Sequence, residues 1–301
     1  MLKTLANFSS LAAISTTMLS MVGVPVATAV TTADVIVVVD ESGSMYNEHE
    51  WLGSMIPDLD EALQNDGVTN NRFGLVGFGS SLSTGYLGRS IPVGGSFFGT
   101  SAQFVTATNT LVHPGGFEDG YSAIDFALSN YSFRPGAAVK MILVTDEDRD
   151  NGNSSLNFTN ILAALQRGSS PDDDILLNTV IDANFIGDAL GISSNGKSYT
   201  ADGMGGFNTT QLPSLSGIVT SSFRNTQMDY VDLALASGGA VWNLNKLRDG
   251  GLNATSFSNA FIDIKVEEIT QSPEPVPERT STLALVGLGV LGSMLGLPKQ
   301  K

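Results

Sequence analysis

Val35 to Val39 is an unbroken run of β-branched residues between Asp34 and Asp40. A strand with one wet face alternates apolar and polar residues, so a run without alternation marks a strand buried on both faces. Residues 139–146, "VKMILVTD", and 174–182, "DILLNTVID", repeat the pattern, and "RFGLVGFGS" at 72–80 reads as a further strand. Between them lie segments with helical spacing: 50–64, with Pro57 inside it, then 118–131, 155–167, the first half of 229–244 and 256–269. The 118–131 helix begins with acids at its positive end. Strands alternating with helices predict an α/β fold, a mostly parallel central sheet flanked by helices on both faces. Two stretches resist this pattern. Residues 81–116 are rich in Gly, Ser and Thr, with weak strand signals near 103–106, and 183–226 loses periodicity and reads as an insertion or lid.

In open parallel sheets, ligands bind outside the carboxyl ends of the strands. Three loops there carry oxygen donors. The first holds Asp40, Ser42 and Ser44, with Gly43 permitting a tight bend; the second holds Glu118 and Asp119; the third holds Asp146, followed by Glu147, Asp148 and Asp150. Oxygen donors without sulfur or imidazole select a hard cation: Mg²⁺, Ca²⁺ or Mn²⁺. The protein has no cysteine and only two histidines, which removes disulfides, thiolate metal sites and cysteine nucleophiles and disfavours structural zinc. A net charge of −15 argues against nucleic acid, whose phosphates require Lys and Arg. "DEDRDNG" at 146–152 departs from an EF-hand loop, with Asn151 where the glycine belongs and Asn157 where the glutamate belongs. Asp148 and Asp150 are expected to be solvated loop acids, His113 to cap or turn the chain before Pro114, and Trp51 and Trp242 to pack.

The intact Asp-x-Ser-x-Ser of "DESGS", the "LVTDED" of the third loop and "ASGGAVWNL…AFIDIKVEEI" resemble the von Willebrand factor A (vWA) domain family across roughly 34–269. The resemblance implies a Rossmann-like vWA fold and a metal-ion-dependent adhesion site, in which a partner's carboxylate completes the coordination. It implies Ser42 and Ser44 as direct hydroxyl ligands, and Asp40 and Asp146 as ligands directly or through water. It also suggests that the last helix shifts as the site engages. The second loop departs from the commonest family pattern, a threonine after Gly-Gly, because Phe117 follows Gly116 here. The vWA-type domains of integrin β subunits place a glutamate six residues before an isoleucine, and Glu118 stands six residues before Ile124. Glu118 is therefore the expected ligand, with Asp119 as the fallback. A further anionic ligand would hold the cation more tightly and lower the positive charge left for an acidic partner.

Both ends read as addresses. Residues 1–29 carry Lys3, an apolar segment and Ala27-Thr28-Ala29, a secretory signal that would leave Val30 as the first residue. Residues 270–282 form a Pro-rich linker, and 283–301 an apolar, glycine-rich segment closed by Lys299 and Lys301. As a helix, 283–297 would be about 22 Å long, short for a hydrocarbon core of about 30 Å, which suits transient anchoring in the inner membrane with the lysines on the cytoplasmic side. Pro273-Glu274-Pro275, the apolar run and the basic end resemble the PEP-CTERM sorting signal of Gram-negative bacteria. That resemblance implies an exosortase-type processing enzyme and release to the cell envelope, outer surface or extracellular matrix. The expected function is an exported, cation-dependent binding module for a protein or acidic matrix ligand. The alternatives are a structural matrix protein whose metal only stabilises, and a metal-assisted hydrolase; no convincing Ser-His-Asp or Cys-His set accompanies the latter.

Overall fold

The burial of β1 (Ala33–Asp40) is complete at all eight positions, and this follows from its neighbours. It runs parallel to β2 (Arg72–Phe78) on one side and to β5 (Ala138–Thr145) on the other. The computed structural model describes residues 30–81, 87–166 and 174–271; the expected signal segment, sorting element and apolar tail lie outside the described residues.

In sequence order, β1 leads to α1 (Tyr46–Asn65), β2, β3 (Arg89–Ile91), β4 (Phe98–Gly99), α2 (Ser101–Thr108), α3 (Gly120–Asn130) and β5. Then come α4 (Phe158–Leu165), β6 (Leu176–Ile181), β7 (Ala183–Phe185), β8 (Gly191–Ser193), β9 (Lys197–Ala201), β10 (Phe207–Gln211) and β11 (Val219–Ser222). The described residues close with α5 (Asp232–Ala236), β12 (Ala240–Asn243), α6 (Leu244–Arg248) and α7 (Gly251–Thr270). The main sheet has the order β10-β9-β8-β12-β6-β5-β1-β2-β3, with β4 also on β2. β2, β1, β5, β6 and β12 are mutually parallel, and the edges are antiparallel. The expected α/β architecture, a mostly parallel sheet covered on both faces, is the one observed.

The missing alternation in β1 has a direct cause. Val35, Val37 and Val39 enter a core shared with Leu52 and Leu59 of α1 and Phe257 and Phe261 of α7. Ile36 and Val38 enter a second core with Tyr121 and Ile124 of α3 and Ile161 of α4. Each face of the strand has its own helical layer, so neither face tolerates a polar residue. Trp51 and Trp242 both pack in the first core, as expected, edge-on to Phe257 and Phe261.

Two segments differ from their sequence reading. Residues 103–106 are helical: Thr100 and Gln103 form a reciprocal capping box that starts α2. The cap outweighs the β-preference of Phe104, Val105 and Thr106. The stretch 183–226 contains five short strands. β8, β9 and β10 continue the central sheet beyond β12, and β7 pairs with β11 as a separate ribbon. These strands are three to five residues long, and β10 is largely exposed, so no apolar period is available to betray them. At the amino ends of the strands, buried Asp34 receives Arg72 Nε and Nη2 at 2.7 Å each and Arg134 Nε at 2.8 Å, tying β1, β2 and the α3–β5 connection together.

Candidate metal centre

The backbone leaves β1 toward β2 on one side and later returns to β5 on the other, so β1 and β5 flank the point where strand order reverses. A crevice opens there at the carboxyl ends, because successive connections depart in opposite directions. Asp40 ends β1, and Asp146 follows β5 directly.

After Asp40 the backbone turns within two residues, and a single 3-10 turn at Gly43–Met45 starts α1. The turn is held by the strand's own acid: Ser42 N–H donates to Asp40 Oδ1 at 2.7 Å. Thr145 Oγ1 donates to the other oxygen, Oδ2, at 2.8 Å. Ser42 Oγ and Ser44 Oγ stand 3.0 Å apart, and Ser44 Oγ donates to Asp146 Oδ1 at 2.9 Å. Arg248 Nη2 holds Asp146 Oδ2 at 2.9 Å, while Arg248 Nε binds Glu48 Oε1 at 2.7 Å. Thr145, Asp40, Ser42, Ser44, Asp146 and Arg248 thus form one hydrogen-bonded network across two strand ends.

Glu118 approaches from the second loop. Its backbone is clamped by Asp150, whose Oδ2 accepts from Glu118 N at 3.0 Å and whose N donates to Glu118 O at 3.0 Å. A Cβ added to Gly79, which sits at φ +77°, would lie 3.0 Å from both Asp40 Oδ1 and Glu118 Cγ. Asp40 and Glu118 therefore flank a glycine that leaves room for both. A cavity of about 410 Å³ opens here, lined by Ser42, Ser44, Gly115, Gly116, Glu118, Glu147, Asp148, Asp150 and Arg224.

The electrostatics of this cavity are unbalanced. Burial, reinforced by the charge of Asp146, pushes Asp40 up to about 7 against the pull of its hydrogen bonds. Burial and the charges of Asp40, Asp150 and Glu147 push Glu118 up to about 8. Glu147 is raised as well, by burial and then by Asp146 and Asp148. Arg224, 69% exposed and 3.6 Å from Asp148, and Arg248 on the far side of Asp146 are the nearby cations the protein itself supplies here. A bound divalent cation would favour the ionised form of every one of these carboxyls.

The donor set fits a hard cation: two hydroxyls and carboxylates of Asp40, Asp146 and Glu118, with no imidazole or sulfur among them. Among the described residues no three His, Cys, Asp or Glu side chains make a group that could hold a metal ion by themselves. Asp119 is placed elsewhere. Its carboxylate accepts from Arg149 Nε at 2.7 Å, Ser122 Oγ at 2.8 Å and Gly152 N at 2.9 Å, and it caps α3. Its pKa is depressed because these hydrogen bonds outweigh its burial. Asp148 is not a solvated acid: it is buried in the cavity wall beside Arg149. His113 stacks on His49 with ring centroids 4.9 Å apart.

Three contributors escaped the sequence reading. Thr145 looks like an ordinary β-strand residue until its hydroxyl is seen on Asp40. Arg248 lies about two hundred residues from Glu48 in the sequence, and nothing local announces their pairing. Glu41, inside the motif itself, is fully buried against Arg89 and Val112 N, fastening the loop from behind.

No family model and no curated protein matches the sequence. Among solved structures it is similar to the conserved hypothetical protein BatB from Bacteroides thetaiotaomicron, at 16% identity and TM-score 0.44, covering 79% of the present protein and 97% of that one. An aerotolerance-related membrane protein from Bacteroides fragilis matches at 13% identity and TM-score 0.42, over 78% and 99%. Proximal thread matrix protein 1 from the mussel byssus, in a structure with a zinc-occupied MIDAS motif, matches at 17% identity and TM-score 0.36, over 52% and 39%. Among the described residues no helix is long and apolar enough to cross a membrane.

Proposed function

We propose that the protein is an exported vWA-type binding module that holds one divalent cation at the tips of β1 and β5 and engages an acidic partner through it. The supporting observation is the continuous series of hydrogen bonds Asp40–Ser42–Ser44–Asp146 facing Glu118 across an open cavity. Ser42 and Ser44 present their hydroxyls to the ion. Asp40, locked by Ser42 N and Thr145, orients the serine loop. Asp146, oriented by Arg248, holds Ser44, and Glu118 supplies charge from the opposite wall. The cation, when bound, offers a Lewis-acidic position to an incoming carboxylate. Mg²⁺, Ca²⁺ and Mn²⁺ all suit this donor set.

The carboxylate belongs to a protein or an acidic matrix polymer, and the role is attachment rather than turnover. Both histidines are engaged with each other, and His49 Nε2 also bonds the Asp40 carbonyl at 2.8 Å, an arrangement that serves the loop's architecture. The signal at 1–29 and the PEP-CTERM-like tail deliver the module to the envelope or extracellular matrix, the tail through an exosortase-type enzyme. Incubating the purified protein with the producing cell's extracellular polymer, with Mg²⁺ or with EDTA, tests the attachment. Retention with Mg²⁺, and its loss with EDTA and in Ser42→Ala/Ser44→Ala, is expected. A cation that only staples the loops would leave retention unchanged on chelation while lowering the melting temperature, which is the second reading.

A further inference from the structure

Asn178 lies on β6 and Lys265 on α7, and both are fully buried, at positions where apolar residues would be expected. Lys265 Nζ contacts Asn178 Oδ1 and also meets Glu268 Oε1 at 2.5 Å. The other oxygen of Glu268, Oε2, accepts from Asn178 Nδ2 at 3.0 Å. The backbone N–H of Ala240 on β12 donates to Asn178 Oδ1 at 2.9 Å. One carboxylate therefore bridges an amine and a primary amide, and a backbone donor polarises the amide carbonyl. The rings of Trp242 and Phe261 flank Nζ, with centroids at 5.4 Å and 5.5 Å. A buried ion pair alone would need only Lys265 and Glu268. The asparagine adds an electrophilic carbon, one bond beyond the oxygen that the amine already touches.

We propose that Lys265 and Asn178 become joined by an intramolecular amide bond, formed without a cofactor, with Glu268 as the proton carrier. The lone pair of the neutral amine attacks Cγ of Asn178, and the carbonyl electrons move to Oδ1, where the Ala240 N–H stabilises them. Oε1 of Glu268 accepts the proton released from Nζ, and the carboxyl returns a proton to Nδ2. The Cγ–Nδ2 bond breaks, ammonia leaves and the carbonyl reforms. One amine and one primary amide give one secondary amide and one ammonia; nothing is oxidised or reduced. Burial lowers the Lys265 pKa in spite of Glu268, which favours the neutral nucleophile. Lys140, also buried, is brought down to about 8, chiefly by burial, with Glu268 opposing the shift and Lys265 adding to it. Glu267 and Lys197, paired at 2.6 Å, add two more charges to this face. The bond would fix the last described helix to the sheet centre and oppose any shift of its carboxyl half.

The intact mass of the purified full-length protein, followed by tryptic mapping under denaturing conditions, tests this. The protein is expected to weigh one ammonia less than its sequence, and trypsin is expected to release a branched peptide joining 168–197 to the segment after Arg248, uncut at Lys265. Glu268→Gln and Lys265→Arg are expected to restore the full mass and separate linear peptides. Succinimide formation at Asn151-Gly152 or Asn195-Gly196 also releases ammonia, so a lighter protein without the branched peptide overturns the proposal, as does the unaltered sequence mass. The wild-type measurement decides the matter even if a variant does not fold.

Discussion

Asp34 and Asp40 bracket the same strand and show opposite electrostatic fates. Asp40 lies among acids and is raised to about 7. Burial would also raise Asp34, but hydrogen bonds from Arg72 and Arg134 outweigh it, and its pKa ends below the ordinary value of 3.8. A carboxyl with a lower pKa in the folded state stabilises the fold above its unfolded value and loses that contribution as pH falls through the folded one. Asp34→Asn is thus expected to cost about 2 kcal/mol in urea denaturation at neutral pH, toward the low end because each guanidinium is roughly a third exposed. The gap between variant and wild type is expected to close below about pH 4; a gap independent of pH would contradict the assignment. At this scale the sequence was informative where candidate residues sit in a fixed local spacing. Asp40, Ser42 and Ser44 could be picked out from one pentapeptide, and Asp146 from the acid ending a buried run. The choice between Glu118 and Asp119 was harder, because adjacent acids carry the same local signal. Arg149 distinguishes them, because the fold carries its guanidinium onto Asp119. Thr145 and Arg248 were illegible for the same reason.

Elements were legible in proportion to the period they carry. β1, β5 and β6 declare themselves by β-branched runs, and α7 by Phe257, Phe261, Ile264 and Ile269, all of which are buried. The α2 helix was masked by residues that prefer strands, and its start depends on the Thr100–Gln103 cap. The short strands β8 to β10 extend the sheet through backbone pairing, which leaves little trace in side-chain pattern. α7 is anchored chiefly by aromatic contact. Phe261 touches Trp51, Trp242 and Phe257 with ring centroids between 5.0 Å and 6.2 Å. Phe261→Ala is expected to lower unfolding free energy by about 3–5 kcal/mol, read by denaturant titration. A loss near zero would mean that α7 is not seated as described. Arg248, at the end of α6, joins Glu48 of α1 to Asp146, so α1, α6 and the strand tip are tied by one side chain.

For the whole molecule, a sheet buried on both faces brings its polar chemistry to the strand tips, and here most of that chemistry is acidic. The net charge of −15 describes a protein whose unfolded state loses little by staying extended, whereas the folded state gathers Glu118, Glu147, Asp148 and Asp150 around one cavity, with Asp40 buried beside it. An ion bound there stabilises the folded state by mass action, about 2.7 kcal/mol at a hundredfold excess over its dissociation constant. Differential scanning calorimetry is expected to show a higher midpoint in Mg²⁺ or Ca²⁺ than in EDTA, with the difference absent in Ser42→Ala/Ser44→Ala. Equal shifts in both proteins would point to general screening of acidic charge. The most direct test of the central claim is a calorimetric titration of the chelator-treated protein with Mg²⁺, Ca²⁺ and Mn²⁺ at neutral pH. One saturable site per molecule, lost when Ser42 and Ser44 are both replaced by alanine, is the expected result; no saturable binding, or unchanged affinity in that variant, would contradict it.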